Sequence, residues 1–383
     1  MNNALFLFKK VIKSKLFIIS TAIIIVLITA CLALNLRNQN DQTLATNAET
    51  QSNFDTQQIK QSAPDKSKAN QENITLTQAD RKMNRHIHKM AATQKWQRAY
   101  QAQINYNHWQ LKAESNGKVI DRSVVNFLMS EVYRCQYLLK RNLPEQSRTS
   151  PTKGITFSIF VDHVISAVLI PLLLIFNLGL LYTKRYDNGV DKDRLVPITT
   201  GSGLFQNLFI GYAMALLLVI GTIGLSFLLS SFFSGVGNWH YPIAYFSPKM
   251  PFNIYVSQGS LIIPILILRI LSTYFVVTFV YLIAVLTKQM LPTILISIIA
   301  LIGTNLVTPY LRLLAKGGQF LPTSYFNGVN VVSGQLAHET RNIQFSYIHG
   351  IETLAIWMVV IIIVAYGILN MRQRYYNAPK KLS

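Results

Sequence analysis

The sequence predicts an all-α membrane protein. It has six transmembrane helices, both termini inside (N-in/C-in), and a small helical extracytoplasmic domain between helices 1 and 2. Three observations carry that reading. Half of the 383 residues are hydrophobic and only 14% are charged, where soluble domains carry about 25%. Six runs, at 16–36, 156–182, 204–233, 261–286, 290–311 and 350–371, reach the roughly 20 apolar residues that a helix needs to cross hydrocarbon. Among the short connections between those runs, Lys and Arg gather on alternate sides, as the positive-inside rule requires of the cytoplasmic face.

The first run follows Lys9, Lys10, Lys13 and Lys15. Residues 1–15, with Leu5, Phe6 and Phe8 ahead of the lysines, read as an amphipathic helix lying in the inner interface. Ile28-Thr29-Ala30-Cys31 resembles a lipoprotein cleavage box. The apolar run is longer than a signal peptide's 7–15 residue core and continues past Cys31, so a retained signal anchor is expected. The second run leads into a loop at 183–203 holding Lys184, Arg185, Lys192 and Arg194. Lys288 follows the fourth run, and the tail 372–383 adds Arg372, Arg374, Lys380 and Lys381. The inner side thus holds thirteen basic residues, against Lys249, Arg312, Lys316 and Arg341 in the short outer loops.

Residues 37–155 fall on the outer side in this topology. The stretch 38–80 is rich in Gln, Asn, Ser, Thr and Asp, with few large apolar side chains, and is expected to stay a flexible tether. From 80 to 145 apolar residues recur at helical spacing: Trp96, Tyr100 and Ile104, then Val124, Val125, Phe127, Leu128, Val132 and Leu139. Asp121 is a helix start, and Asn142 with Pro144 behind it a stop. The run from Arg81 to Arg98 carries six Lys or Arg and no acid, which suits an anionic polymer, lipid head groups or simply solvent. Trp239, Tyr241, Tyr245 and Phe246 read as an aromatic belt, and Pro242, Pro248 and Pro251 as a re-entrant or kinked loop.

The net charge of +20 does not point to nucleic acid, because much of it flanks apolar runs. Cys31 and Cys135 give neither a disulfide framework nor metal-site spacing. No G-x-x-x-x-G-K-[ST] occurs, so the chain has no P-loop, and Lys316-Gly317-Gly318 lacks its spacing. His338-Glu339 opens like a zinc-protease helix, but position 342 is Asn342. His86 and His88, two apart on a helix, fall on different faces. No catalytic pairing and no metal site is expected, which leaves an intramembrane enzyme the weakest class.

Charges within apolar runs are costly and face a partner or a cavity. Arg269 lies eight residues into the fourth run, and Asp162 and His163 about seven into the second, all counted from the outer side. At about 1.5 Å per residue these depths match, so an Asp162–Arg269 pair, or a polar cluster including His163, is expected. The alternative is that each side chain snorkels separately to the surface.

One lysine-rich start, one span, a large outer segment and five further spans with a charged loop after the second together resemble a type-2 ABC transporter permease. That family carries an acidic, glycine-centred motif, E-x-x-x-G-T, at the inner end of the second span, then a leucine pair and a proline. Here the matching residues are Asp187-Asn188-Gly189-Val190 and Leu195-Val196-Pro197, with Arg185 in place of the glutamate and Val190 in place of the threonine. The approach to the second span, Tyr137 to Pro144, also resembles the linker of permeases with a large outer domain.

The resemblance implies a dimer of permease subunits, homo- or heteromeric, in the plasma membrane of a bacterium, exporting a peptide-like or amphiphilic substrate. Each subunit would dock on a separate cytoplasmic ATPase that binds ATP and Mg, leaving no cofactor on this chain. It implies that Lys184 to Thr199 is the coupling segment, with Asp187, Asn188, Gly189, Asp191, Asp193, Leu195 and Pro197 at its contact. The basic residues of this loop follow from topology alone, whereas the three aspartates contribute little to orientation and suit a specific polar contact. A membrane sensor or immunity protein, whose outer domain binds a peptide or wall component, is the alternative.

Overall fold

The structure is a computed structural model describing residues 13–64, 67–115, 121–187, 190–191, 199–248, 250–307 and 316–377. It is largely helical, and six of its helices are long and apolar enough to cross a membrane: Lys15–Arg37, Gly154–Thr183, Thr200–Ser234, Gln258–Thr287, Met290–Val307 and Tyr347–Arg374. Continuous apolar sequence favours helix here because in lipid every backbone N–H and C=O must find its partner within the segment. Pro171 and Pro264 both sit inside such helices. The expected amphipathic helix at 1–15 lies almost wholly outside the described residues.

The chain divides into two compact units, one of Met1–Thr29, Ser158–Leu229 and Leu261–Ser383, the other of Ala30–Phe157 and Ser230–Ser260. The first takes the second span from Ser158 onward, and that span is built of α6 (Gly154–Val161), one π-helical turn (Asp162–Ser166) and α7 (Ala167–Thr183). A two-residue ladder of β1 (Tyr186–Asp187) and β2 (Val190–Asp191) follows, and then α8 (Thr200–Ser234) and α9 (Gln258–Thr287) form the third and fourth spans. The fifth span, α10 (Met290–Ser297) to α11 (Thr304–Val307), also contains a π-helical stretch, Ile298–Gly303. Short helices between Gly318 and Thr340 lead to α14 (Tyr347–Asn377), with α12 (Gly328–Val332) and α13 (Gln335–Thr340) among them. Gly211 of α8 is a required close approach: a Cβ there would stand 2.0 Å from the Tyr182 hydroxyl and 2.6 Å from Val277.

The second unit contains α2 (Leu44–Ser62), α3 (Lys68–Ala92), α4 (Trp96–Ser115) and α5 (Arg122–Lys140), with α1 (Lys15–Arg37) leading into them. The flexible tether expected over 38–80 is not what the structure shows. Two helices occupy most of it, because Leu44, Ala48, Ser52 and Asp55 form a buried stripe at helical spacing. Asn84, Ile87 and Ala91 are the buried residues of α3. Caps fix the ends: Thr43 accepts from the amide of Thr46, and Ser67 from that of Asn70. His88 Nδ1 lies 3.0 Å from the Ala45 carbonyl, and Arg85 Nε donates to Ser52 Oγ (3.3 Å), tying α3 to α2. A polar composition therefore hides a continuous core, in which Ile87, Ala99, Tyr100, Val132 and Leu138 are buried together.

α5 begins behind Asp121, whose carboxylate accepts from the Ser123 amide (2.8 Å), and ends where Asn142 turns left-handed at φ 50°. The Pro-rich loop expected after the third span is a β-hairpin of β3 (Pro242–Tyr245) and β4 (Ile254–Ser257), pairing Pro242 with Ser257 and Tyr245 with Ile254. Tyr241, expected in an interfacial belt, is instead buried in this unit's core, where its hydroxyl accepts from the Gln146 amide (2.9 Å). Its neighbour Trp239 covers Gly259 so closely that a Cβ there would fall 1.9 Å from Nε1.

Candidate functional site

The densest buried polar arrangement of the membrane-type unit centres on Arg269, whose side chain is fully buried. Nε donates to Asp162 Oδ1 (2.7 Å) and Nη2 to Asp162 Oδ2 (3.1 Å), a two-pronged pair. Nη2 also reaches the Asp162 carbonyl (3.0 Å), and Nη1 the carbonyls of Phe326 (2.7 Å) and Ser166 (3.4 Å). All five guanidinium N–H groups thus have acceptors, the condition under which a buried charge is tolerated. Both helical carbonyls come from the π-helical turn, where the wider winding disturbs the regular backbone ladder.

His163 does not touch Arg269 in the observed bonding. It bonds instead to Asn327, its Nδ1 lying 3.2–3.3 Å from the amide group, and Asn327 Nδ2 donates back to the His163 carbonyl (3.3 Å). Asn327 also caps α12 by accepting from the Asn330 amide (3.3 Å). The structure therefore brings Asp162 and Arg269 into direct contact, with His163 one residue away in a separate bond. Phe326 and Asn327, which complete the cluster, carried no charge or periodicity to mark them in the sequence. The only usable signal was Asn327 standing as a cap residue before Gly328-Val329.

The segment 184–199, expected to couple to an ATPase, is described only in part. Tyr186 pairs with Asp191 and Asp187 with Val190 in the β1–β2 ladder. Asn188, Gly189, Asp193, Leu195 and Pro197 lie outside the described residues. The Asn-Gly dipeptide is the strongest short hairpin signal a sequence offers, and it sits between these two strands. Arg185, where the motif that the loop resembles has a glutamate, lies over the Tyr186 ring (4.8 Å to its centroid) and donates to the Tyr281 hydroxyl (3.3 Å). Tyr281 in turn meets Tyr182 edge to face at 5.1 Å.

The second unit has its own buried ion cluster. Arg134 bonds Glu131 (3.3 Å) and Glu145 (2.9 Å), and Arg148 bonds Glu131. Burial disfavours the Arg134 charge, but Glu131 and Glu145 outweigh it and hold the guanidinium protonated. Cys135 beside it is buried, and burial pushes its thiol up to about 12, so it is no nucleophile at neutral pH. Among the described residues no group of three His, Cys, Asp or Glu side chains is placed to hold a metal ion.

Compared with protein-family models, curated proteins and solved structures, the chain matches none.

Proposed function

We propose that this chain is the membrane-spanning permease subunit of an ABC transporter, exporting a peptide-like or amphiphilic substrate. The observation that carries the reading is the connection from the second span to the third. An acidic, glycine-centred stretch, folded at Tyr186–Asp187 and Val190–Asp191 into a short antiparallel ladder, joins two apolar helices. Its acidic residues at 187, 191 and 193 exceed what membrane orientation asks for. In this reading both termini and the connection face the cytoplasm of a bacterial cell, and helices α2 to α5 face outward. Two permease subunits pair, and a separate ATPase supplies ATP hydrolysis at the cytoplasmic side.

The chain's own part in that cycle is to carry motion. Arg185 stacks on Tyr186 and bonds Tyr281 of the fourth span, so a push on the connection reaches α9 directly. Farther along the same two spans, Arg269 ties Asp162 of the second to the backbone at Phe326. The second span, the fourth span and the segment before α12 are thereby held as one body rather than three.

The test is co-purification of the tagged full chain with a P-loop ATPase from the same cells. Asp187→Ala, Gly189→Ala and Leu195→Ala are each expected to reduce ATPase recovery about tenfold, equivalent to roughly 1.4 kcal/mol of association. Recovery unchanged in all three overturns the coupling assignment. Failure of any ATPase to accompany the unaltered chain overturns the permease reading.

A further inference from the structure

The second unit carries an open groove of about 790 Å³ between α3 and α4, within the roughly 300–1,000 Å³ usual for ligand sites. Its lining runs from Ala79 to Met90 on α3 and from Arg98 to Trp109 on α4. Eleven residues of helix rise about 16 Å, so the groove is a slot about three turns long rather than a cup. Met83, His86 and Met90 line it from one wall, and Arg98, Ala102 and Trp109 from the other. Both sets follow the three- and four-residue spacing of a helix face turned to a neighbouring helix.

The chemistry of the lining narrows the occupant. The floor is apolar and adaptable, with two methionine thioethers and an indole that stacks on Tyr106 (6.2 Å between centroids). The rim holds two cations, Lys82 and Arg98, with the His86 imidazole, and no lining residue is acidic. Asp80, next to Ala79 on α3, is already engaged by the Tyr106 hydroxyl (2.7 Å) and by Asn84 (2.5 Å). The cations are not gathered at one end, as a single lipid head group would require. Arg98 stands near the α3–α4 turn and Lys82 well along α3, with the His86 imidazole between them. That distribution fits a partner with negative charge repeated along its length and an apolar stripe between.

We propose that the α3–α4 groove binds an acidic amphipathic helix of a partner peptide or protein, its apolar face on Met83, Met90 and Trp109 and its carboxylates on Lys82, His86 and Arg98. The site is separate from the connection between the second and third spans. Loss of ATPase association would leave the groove untouched, and loss of peptide binding would leave the permease reading untouched.

The test uses the full chain in phosphatidylcholine nanodiscs and a fluorescein-labelled helical peptide of about 14 residues, long enough to span the slot. The peptide has Leu at i, i+3, i+4 and i+7 and Glu at the flanking positions. Saturable binding by anisotropy is expected, weakened at least tenfold in K82E/R98E. The same peptide with Glu replaced by Lys should ignore the unaltered chain and bind K82E/R98E. Circular dichroism of the double variant should match the unaltered protein, since both side chains are exposed. Absence of binding, or binding that the double variant leaves unchanged, overturns the proposal. So does preference for phosphatidylglycerol nanodiscs over peptide, or a groove-dependent self-association of the chain.

Discussion

At the scale of single residues, Arg269 shows how a membrane-type interior accommodates charge. Two opposite charges at matched depth in two apolar runs were visible in the sequence, because ionisable residues there are few and each needs a partner. The acceptors that complete the shell, the carbonyls of Asp162, Ser166 and Phe326, were not. Backbone groups leave no mark in a sequence, and the π-helical turn that presents two of them follows no residue pattern. Removing one partner of a buried pair strands the other. Arg269→Met is therefore expected to destabilise the protein by about 3–5 kcal/mol, and the double change to Asp162→Leu with Arg269→Met by much less. Thermal unfolding in nanodiscs checks this, and a double variant that loses as much as the two single variants summed would show that the pair is not coupled. Arg185 makes a related point: it is placed against Tyr186 and Tyr281 as a structural cation.

At the scale of elements, the apolar spans were the easiest to read and the polar helices the hardest. α2 has the composition of a linker, and only the spacing of Leu44, Ala48, Ser52 and Asp55 betrays its buried face. Composition averages over a helix, while burial selects one residue in three or four. The face that includes Asp55 has a cost. Burial, and then the nearby Asp80 charge, push the Asp55 carboxyl up to about 6, and burial raises Asp80 as well. A carboxyl raised in the folded state binds its proton more tightly there than in the unfolded chain. Its contribution is fully favourable at low pH and is lost as pH rises from the unfolded value near 4 through about 6. Asp55→Asn should remove most of this dependence and stabilise α2 and α3 by about 1 kcal/mol at pH 7, allowing for partial solvent screening. Thermal midpoints at pH 4 and pH 7 check the sign, and a variant less stable than the unaltered protein at pH 7 would refute it.

At the scale of the whole molecule, the number of spans and their approximate limits follow from apolar length alone, whereas sidedness rests on the placement of Lys and Arg. The N-in/C-in reading puts Thr77 outside and Lys192 inside. Cysteine introduced at Thr77 should react with a membrane-impermeant maleimide in intact cells, and cysteine at Lys192 only after permeabilisation. Native Cys135 is buried and Cys31 half-buried, so background labelling should be low. Labelling of Lys192→Cys in intact cells would reverse the orientation. The hairpin Pro242–Tyr245/Ile254–Ser257 was the main surprise at this scale. Its three prolines announced a break in the chain but said nothing of a partner strand, and Tyr241 looked interfacial because buried and interfacial tyrosines are alike in sequence.

The wide turn at Asp162–Ser166 also changes what one helix can do. Winding in one extra residue advances everything beyond it by about 100° around the axis. The two ends of the second span therefore do not share a single facing. Asp162, at the turn, is aimed at the fourth span, while Asn177, fifteen residues on, donates to Ser20 of the first (2.7 Å). A uniformly wound helix would have to reconcile both neighbours with one phase. Here a single residue of slack uncouples them, and the span can hold two different partners at two depths.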